Sequence, residues 1–244
     1  MLKRVLSQIE QVVLRQIDSM HSSAAALCTQ LTETLDCPER LTSTQHVIAL
    51  IGIVGSGKTT FAKILAQRIG AVIIEGDAIR THLRATGVGG IDSSNHVRII
   101  AEHMMLVALQ RGANVILDSD FVSTAKRTTL LMKARSANTP VHFVRTVCDF
   151  DELIGGIISA PEEAFKDTIF ATAESSWTGL RRANIVKLRE TIRRIPQHYR
   201  WSARGGGQWI ARDLKFPVII TVRTHLPEEM ATCATLVHRL LQQQ

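Results

Sequence analysis

The run from His46 to Thr60 constrains this chain more than any other part of it. Five apolar residues (Val47, Ile48, Ala49, Leu50, Ile51) lead directly into Gly-Ile-Val-Gly-Ser-Gly-Lys-Thr, with Gly52, Gly57, Lys58 and Thr59 at the defining positions of a phosphate-binding loop, or P-loop. Phe61, Ile64, Leu65 and Ile69 follow at helical spacing, so the loop joins a buried strand to an amphipathic helix, the context that the motif needs. Glycines let consecutive backbone N–H groups turn inward on a phosphate, and the helix presents its positive end to the same anion. Lys58 is expected to reach the β- and γ-phosphates. The Thr59 hydroxyl is expected to ligate Mg²⁺, with Thr60 next to it in the first turn. Gly55 and Ser56 are small enough for the backbone to approach closely. A nucleoside triphosphate is the expected ligand, and the motif does not choose between ATP and GTP.

A chain of 244 residues with 45% apolar content can bury one sizeable core. No stretch of eighteen uninterrupted apolar residues occurs, and the segment from Met1 to Met20 is broken by Lys3, Arg4, Glu10, Arg15 and Asp18. No signal peptide, membrane span or membrane partner is therefore expected. Cys28, Cys37, Cys148 and Cys233 are scattered, without the paired spacing of a zinc site or the density of a disulfide scaffold. Reduced thiols in a cytoplasmic protein follow. The nine histidines show no ligand spacing and are expected to be mostly surface or partly buried.

Residues 1–45 form an N-terminal extension. Leu2, Val5, Ile9, Val12 and Gln16, with Leu6, Val13 and Ile17 beside them, repeat at a period near 3.6 and predict an amphipathic helix that packs on the flank of the core. A second helix is expected from Ala24 to Leu35, ending near Cys37-Pro38. From residue 46 strand and helix patterns alternate, which predicts an α/β fold with a mostly parallel five-stranded sheet covered on both faces in three layers. Strands are expected at His46–Ile51, Ala71–Ile74, Asn114–Leu117, Val141–Thr146 and Val218–Val222. Helices are expected at Lys58–Gly70, Ala78–Arg84, Ser94–Gln110 and Ser123–Arg135, and another is opened by Pro227-Glu228-Glu229. The core thus occupies 46–148 and 217–244. Between them, 149–216 reads as an insertion that folds over the site as a lid or substrate element. Its helix carries Ile185, Leu188, Ile192 and Ile195 and is expected to stop at Pro196.

The second strand runs into Ile-Ile-Glu-Gly-Asp-Ala-Ile-Arg, which places Glu75, Asp77 and Arg80 at the carboxyl edge of the sheet, where ligands bind. A P-loop followed by a strand ending in Gly-Asp-x-x-Arg resembles the small P-loop kinases typified by adenylylsulfate kinase, the zeta-toxin-like kinases and the polynucleotide 5′-hydroxyl kinases. The resemblance implies a P-loop NTPase fold and an ATP- and Mg²⁺-dependent kinase. It also implies that Asp77 contacts and deprotonates the acceptor hydroxyl while Arg80 holds an anionic part of the acceptor. Phosphoryl transfer needs positioning, charge neutralisation and one carboxylate to take a proton, which agrees with this set. Simpler roles stand beside these: Asp77 could cap a helix beginning at Ala78, and Arg80 could serve a surface ion pair.

The third strand ends in Asp118, with Asp120 two residues on. Asp118 is the candidate to hold a Mg²⁺-bound water, and Asp120 could contact the acceptor; either Asp120 or Ser123 could instead cap the next helix. Kinases of this group place arginines on a lid helix after the fourth strand, yet the stretch from Asp151 to Ile158 has none. Arg181 and Arg182, or the face bearing Arg189, Arg193 and Arg194, are the remaining candidates for neutralising the transferred phosphoryl group and contacting the acceptor; a solvated basic face is the alternative. Arg223 falls where related kinases border the adenine base.

Between Trp177 and Lys215, ten basic residues face two acidic ones, a balance of +8 in a chain whose total is +7. All three tryptophans and Tyr199 lie in the same stretch. A small anionic metabolite, nucleotide or nucleotide-sugar is the leading acceptor. The basic aromatic segment also suits the 5′-hydroxyl of a nucleic acid, unless its aromatics form a small core of their own. A third reading is a non-catalytic nucleotide-dependent switch.

Overall fold

The computed structural model describes residues 11–20, 22–87, 93–161 and 183–243. Within them, five strands form one parallel sheet in the order β2-β3-β1-β4-β7: β1 (Val47–Ile51), β2 (Ala71–Glu75), β3 (Asn114–Asp118), β4 (Val141–Val147) and β7 (Ile220–Arg223). Every residue of β1 is buried because helices cover both sides of the sheet, so its sequence is an unbroken apolar run rather than an alternation.

Side-chain alternation along β1 sorts the helices into two layers. Val47, Ala49 and Ile51 join one core with α1 (11–18), α2 (Ser22–Glu33), α4 (Gly76–Ala85) and α5 (Ser93–Gln110). Ile48 and Leu50 face the other core, built with α3 (Lys58–Ile69) and α9 (Pro227–Gln242). Helix α6 (Thr124–Ser136) follows β3 and contributes Leu130 and Ala134 to the first core. Of the N-terminal periodic positions that are described, Val13 and Ile17 turn inward, and Met20 joins them just past the helix end. Val12 is 52% exposed, so the buried stripe runs through Val13 and not Val12. Leu2, Val5, Leu6 and Ile9 lie outside the described residues.

The insertion holds α7 (Phe150–Ser159), α8 (Ala183–His198) and an antiparallel ribbon of β5 (Tyr199–Ser202) and β6 (Gln208–Ala211), joined by a 3-10 turn at Arg204–Gly206. Phe150, Leu153, Ile157, Ile195 and Tyr199 form a small core with Ile53 of the loop after β1. The aromatics pack on one another: Trp209 lies 5.3 Å from Phe150 and 5.4 Å from Trp201, centroid to centroid. Helix α8 does not stop at Pro196 but continues to His198. Within a last turn, a proline forfeits only one helical hydrogen bond, and the Pro196 carbonyl is itself satisfied by Arg212 Nη1 at 2.6 Å. That extra reach brings His198 to the site.

Candidate active site

The loop between β1 and α3 is held in shape by its neighbours before any ligand is considered. Gly57 stands at φ 74°, and a Cβ there would lie 2.7 Å from Thr224 Cβ, so both conformation and space demand glycine. Gly52 is compelled by space alone, because a Cβ would collide with Thr146 and Ser56. The Ser56 hydroxyl meets Thr146 Oγ1 at 2.9 Å, while Thr224 Oγ1 donates to the Ser56 carbonyl at 2.8 Å. The loop is thereby fastened to β4 and to the segment after β7. Helix α3 begins without a side-chain cap, which leaves its first N–H groups available to an anion.

Lys58 bends over this loop, donating to the Gly52 and Ile53 carbonyls at 2.9 Å each. Burial pushes its ammonium pKa down, and the charges of Asp120, Asp118 and Asp77 oppose the fall. Thr59 Oγ1 donates to Asp118 Oδ2 at 2.5 Å, which joins the first turn of α3 to the end of β3. Asp118 is buried, and burial raises its carboxyl pKa against the Thr59 hydrogen bond and the Lys58 charge. Its register partner on β2 is Glu75, pushed up by burial and then by the Asp118 charge. A hydroxyl and a carboxylate oxygen in contact beside a phosphate-type loop are hard donors of the kind Mg²⁺ prefers, so these residues fit a magnesium–nucleotide complex.

Asp77 does not cap a helix that starts at Ala78. Helix α4 begins at Gly76 with Glu75 at the cap position and no side-chain cap bond, so Asp77 sits within the first turn. Its side chain is 63% exposed and accepts from Arg80 Nη1 at 2.5 Å. The ion pair that stood as the alternative role for Arg80 is present, with Asp77 itself as the partner.

Asp120 is drawn into the protein. Gly52 N–H lies 3.5 Å from Oδ1, Val122 N–H 3.2 Å from the same oxygen, and Arg194 Nη1 3.9 Å from Oδ2. His198 Nε2 is 2.9 Å from Oδ2, and since a carboxylate only accepts, that nitrogen carries the hydrogen. Burial alone would raise the Asp120 pKa, but the His198 bond and charge, with Lys58 and Val122, hold it below the usual value. Neither Asp120 nor Ser123 caps α6: Ser123 occupies the cap position without a side-chain bond.

Helix α8 turns one face to the site, with Lys187 and Thr191 against the loop and Arg194 and His198 against Asp120, all spaced three or four apart. Thr191 Oγ1 lies 3.5 Å from the Val54 carbonyl. Lys187 is half-buried against Gly55, and its ammonium is pushed down by burial and by the Lys58 charge. Arg189 and Arg193 are exposed on other sides of the helix, and Arg193 pairs with Glu190 at 2.7 Å. The structure therefore gathers Gly52, Gly55, Ser56, Gly57, Lys58, Thr59, Asp77, Arg80, Asp118 and Asp120, with exposed Thr60 alongside in α3, but not Arg189 or Arg193. Arg181 and Arg182 lie outside the described residues. Arg223 is exposed and tied to Glu229 at 2.7 Å; its neighbour Thr224 is the residue that touches the loop. Lys187 and His198 were not singled out by sequence, and three histidines expected to be unremarkable, His46, His142 and His198, are buried.

Fold and loop together define an α/β domain of the P-loop NTPase type. Residues 47–158 match the family model AAA_33, described as an AAA domain. Among solved structures it is similar to a candidate kinase from Chloroflexus aurantiacus J-10-fl, at 19% identity and a TM-score of 0.56, over 81% of this chain and 98% of that one. It is also similar to Mycobacterium tuberculosis APS kinase, solved with AMPPNP and APS, at 15% identity and a TM-score of 0.52, over 84% of this chain and 99% of that one. No curated protein sequence matches the chain. Among the described residues, no helix is long and apolar enough to cross a membrane.

Proposed function

We propose that this protein is an ATP- and Mg²⁺-dependent kinase that transfers the γ-phosphate to a hydroxyl of a small anionic acceptor. The observation that carries the reading is the contact of Thr59 Oγ1 with Asp118 Oδ2 at 2.5 Å beside the Lys58-closed loop. Thr59 and Asp118 would hold Mg²⁺, whose charge offsets that of the phosphates. Lys58 supplies a fixed positive charge, and the loop amides and α3 supply dipoles aimed at the same anion. Asp77, open to solvent at the mouth of the site, takes the proton of the acceptor hydroxyl, and Arg80 leaves its pairing with Asp77 to meet the acceptor's negative group. The core at 46–148 and 217–244 holds the nucleotide. The insertion at 149–216 shapes the acceptor side, with Lys187 and Arg194 in the place sought for the lid arginines. The APS kinase resemblance in fold supports ATP as the donor.

The test follows labelled γ-phosphate from Mg·ATP into a small-metabolite extract and into 5′-hydroxyl oligonucleotides, with wild type, Lys58→Ala and Asp77→Asn. Label in the metabolite pool that disappears in both variants is the expected result. Label in the oligonucleotides would instead assign the substrate to nucleic acid, for which Trp201, 56% exposed, offers the one open aromatic face described. ATP binding with no label in either pool would move the reading to a nucleotide-dependent switch.

A further inference from the structure

Three potential ligands meet away from the acids of the phosphate site, at the ends of β4, α7 and β7. One sulfur, oxygen or nitrogen atom from each of Cys148, Glu152 and His225 lies within 4.8 Å of the other two. We propose that these residues form a zinc-binding site, with three protein ligands and a fourth position open to water. The proposal does not rest on phosphoryl transfer.

The donor set selects the metal. Magnesium and calcium take oxygen ligands, whereas a thiolate, an imidazole and a carboxylate together suit Zn²⁺ and its open tetrahedral sites. Ligand atoms around a tetrahedral zinc stand about 3.5 Å apart, so atoms within 4.8 Å of one another need approach by no more than about 1.3 Å to close on the ion. Glu152, exposed in the first turn of α7, has the freedom to do this. The other two are anchored through their backbones. Tyr199 Oη donates to the Cys148 carbonyl at 2.8 Å, and His225 follows Thr224, whose hydroxyl reaches Ser56.

One further observation points to a ligand at this place. His225 Nδ1 is buried without a hydrogen-bond partner, one of three such side-chain atoms among the described residues, and such an atom calls for an explanation. On zinc binding the Cys148 proton would leave to solvent, and the resulting thiolate, the Glu152 carboxylate and the His225 imidazole would ligate the ion. Zinc affinity should accordingly rise with pH.

Cobalt reports on the site directly, because a cobalt–thiolate bond gives a near-ultraviolet charge-transfer band. The metal-free chain titrated with Co²⁺ should bind one ion and show that band, and Zn²⁺ should displace it. Cys148→Ser should abolish the band. His225→Ala and Glu152→Gln should each weaken zinc, measured by chelator competition, by at least about tenfold. Absence of stoichiometric cobalt binding, or a band that survives Cys148→Ser and so belongs to another cysteine, overturns the proposal. Should the Cys148 or His225 variants not fold, Glu152→Gln decides, since its side chain is exposed: unchanged zinc affinity there overturns the three-ligand site.

Discussion

His198 Nε2 donates to Asp120 Oδ2 at 2.9 Å, linking the last residue of α8 to a carboxylate that touches the first glycine of the phosphate loop. Removing the imidazole leaves a buried carboxylate short of a donor, which costs about 1–3 kcal/mol. His198→Ala should therefore lower the melting temperature by several degrees, at about 2–4 °C per kcal/mol for a chain of this size, and His198→Gln, which keeps an N–H donor, should recover part of it. The sign with pH follows from Asp120, whose folded pKa is depressed. Its stabilisation is complete above the ordinary carboxylate pKa and disappears as pH falls through the folded value. Acid melts of His198→Ala should show a smaller loss over that window than wild type.

Lys58 and Asp118 make separable contributions. Lys58→Ala removes a charged donor, and nucleotide affinity should fall by about 1.5–3 kcal/mol, roughly 10- to 150-fold, with or without magnesium. Asp118→Asn keeps an acceptor for the Thr59 hydroxyl and should fold, but its neutral oxygen is a weaker magnesium ligand. The gain in ATP affinity on adding Mg²⁺ should shrink in Asp118→Asn and persist in Lys58→Ala. Calorimetric titration at two magnesium concentrations distinguishes them.

Asp77 is exposed, and exposed ion pairs contribute about 0–1 kcal/mol. Asp77→Asn should leave the melting temperature within a degree or two and ATP affinity unchanged. If Asp77 is the base, kcat falls by about 10²–10⁴. Retained kcat would transfer that role to another group, with Glu75 the nearest carboxylate in the chain.

The phosphate site was legible because its parts are local. A buried strand, a loop and a helix are contiguous from Val47 to Ile69, and Glu75 and Asp118 end strands whose apolar runs are plain in the sequence. What could not be read is side-chain direction in the insertion. Helix α8 carries basic residues around much of its circumference, so spacing does not reveal that Lys187 faces the loop and Arg194 faces Asp120 while Arg189 and Arg193 face water. Cys148 and His225 are likewise distant in sequence and meet only because β4 and β7 are parallel neighbours. The ribbon strands β5 and β6 are four residues each, too short for an alternation to register against the background.

At the opposite end of the sheet, His46 Nδ1 meets His142 Nε2 at 3.1 Å, and Thr44 Oγ1 meets His46 Nε2 at 3.0 Å. Burial lowers the His142 pKa from 6.5 to about 4, with His46 adding to the fall, and burial lowers His46 as well. An unfolded chain takes up the His142 proton near 6.5, whereas the folded chain resists until about 4. Falling pH therefore favours unfolding across that interval, by about 1.4 kcal/mol for each unit of separation. Stability should be level above about 6.5 and decline below it, before most carboxylates titrate. His142→Gln cannot protonate and should flatten the decline between pH 6.5 and about 4 while leaving nucleotide affinity intact, because the pair lies across the sheet from the phosphate loop. Chemical denaturation at stepped pH reads this directly, and parallel losses in wild type and variant would remove His142 as the cause.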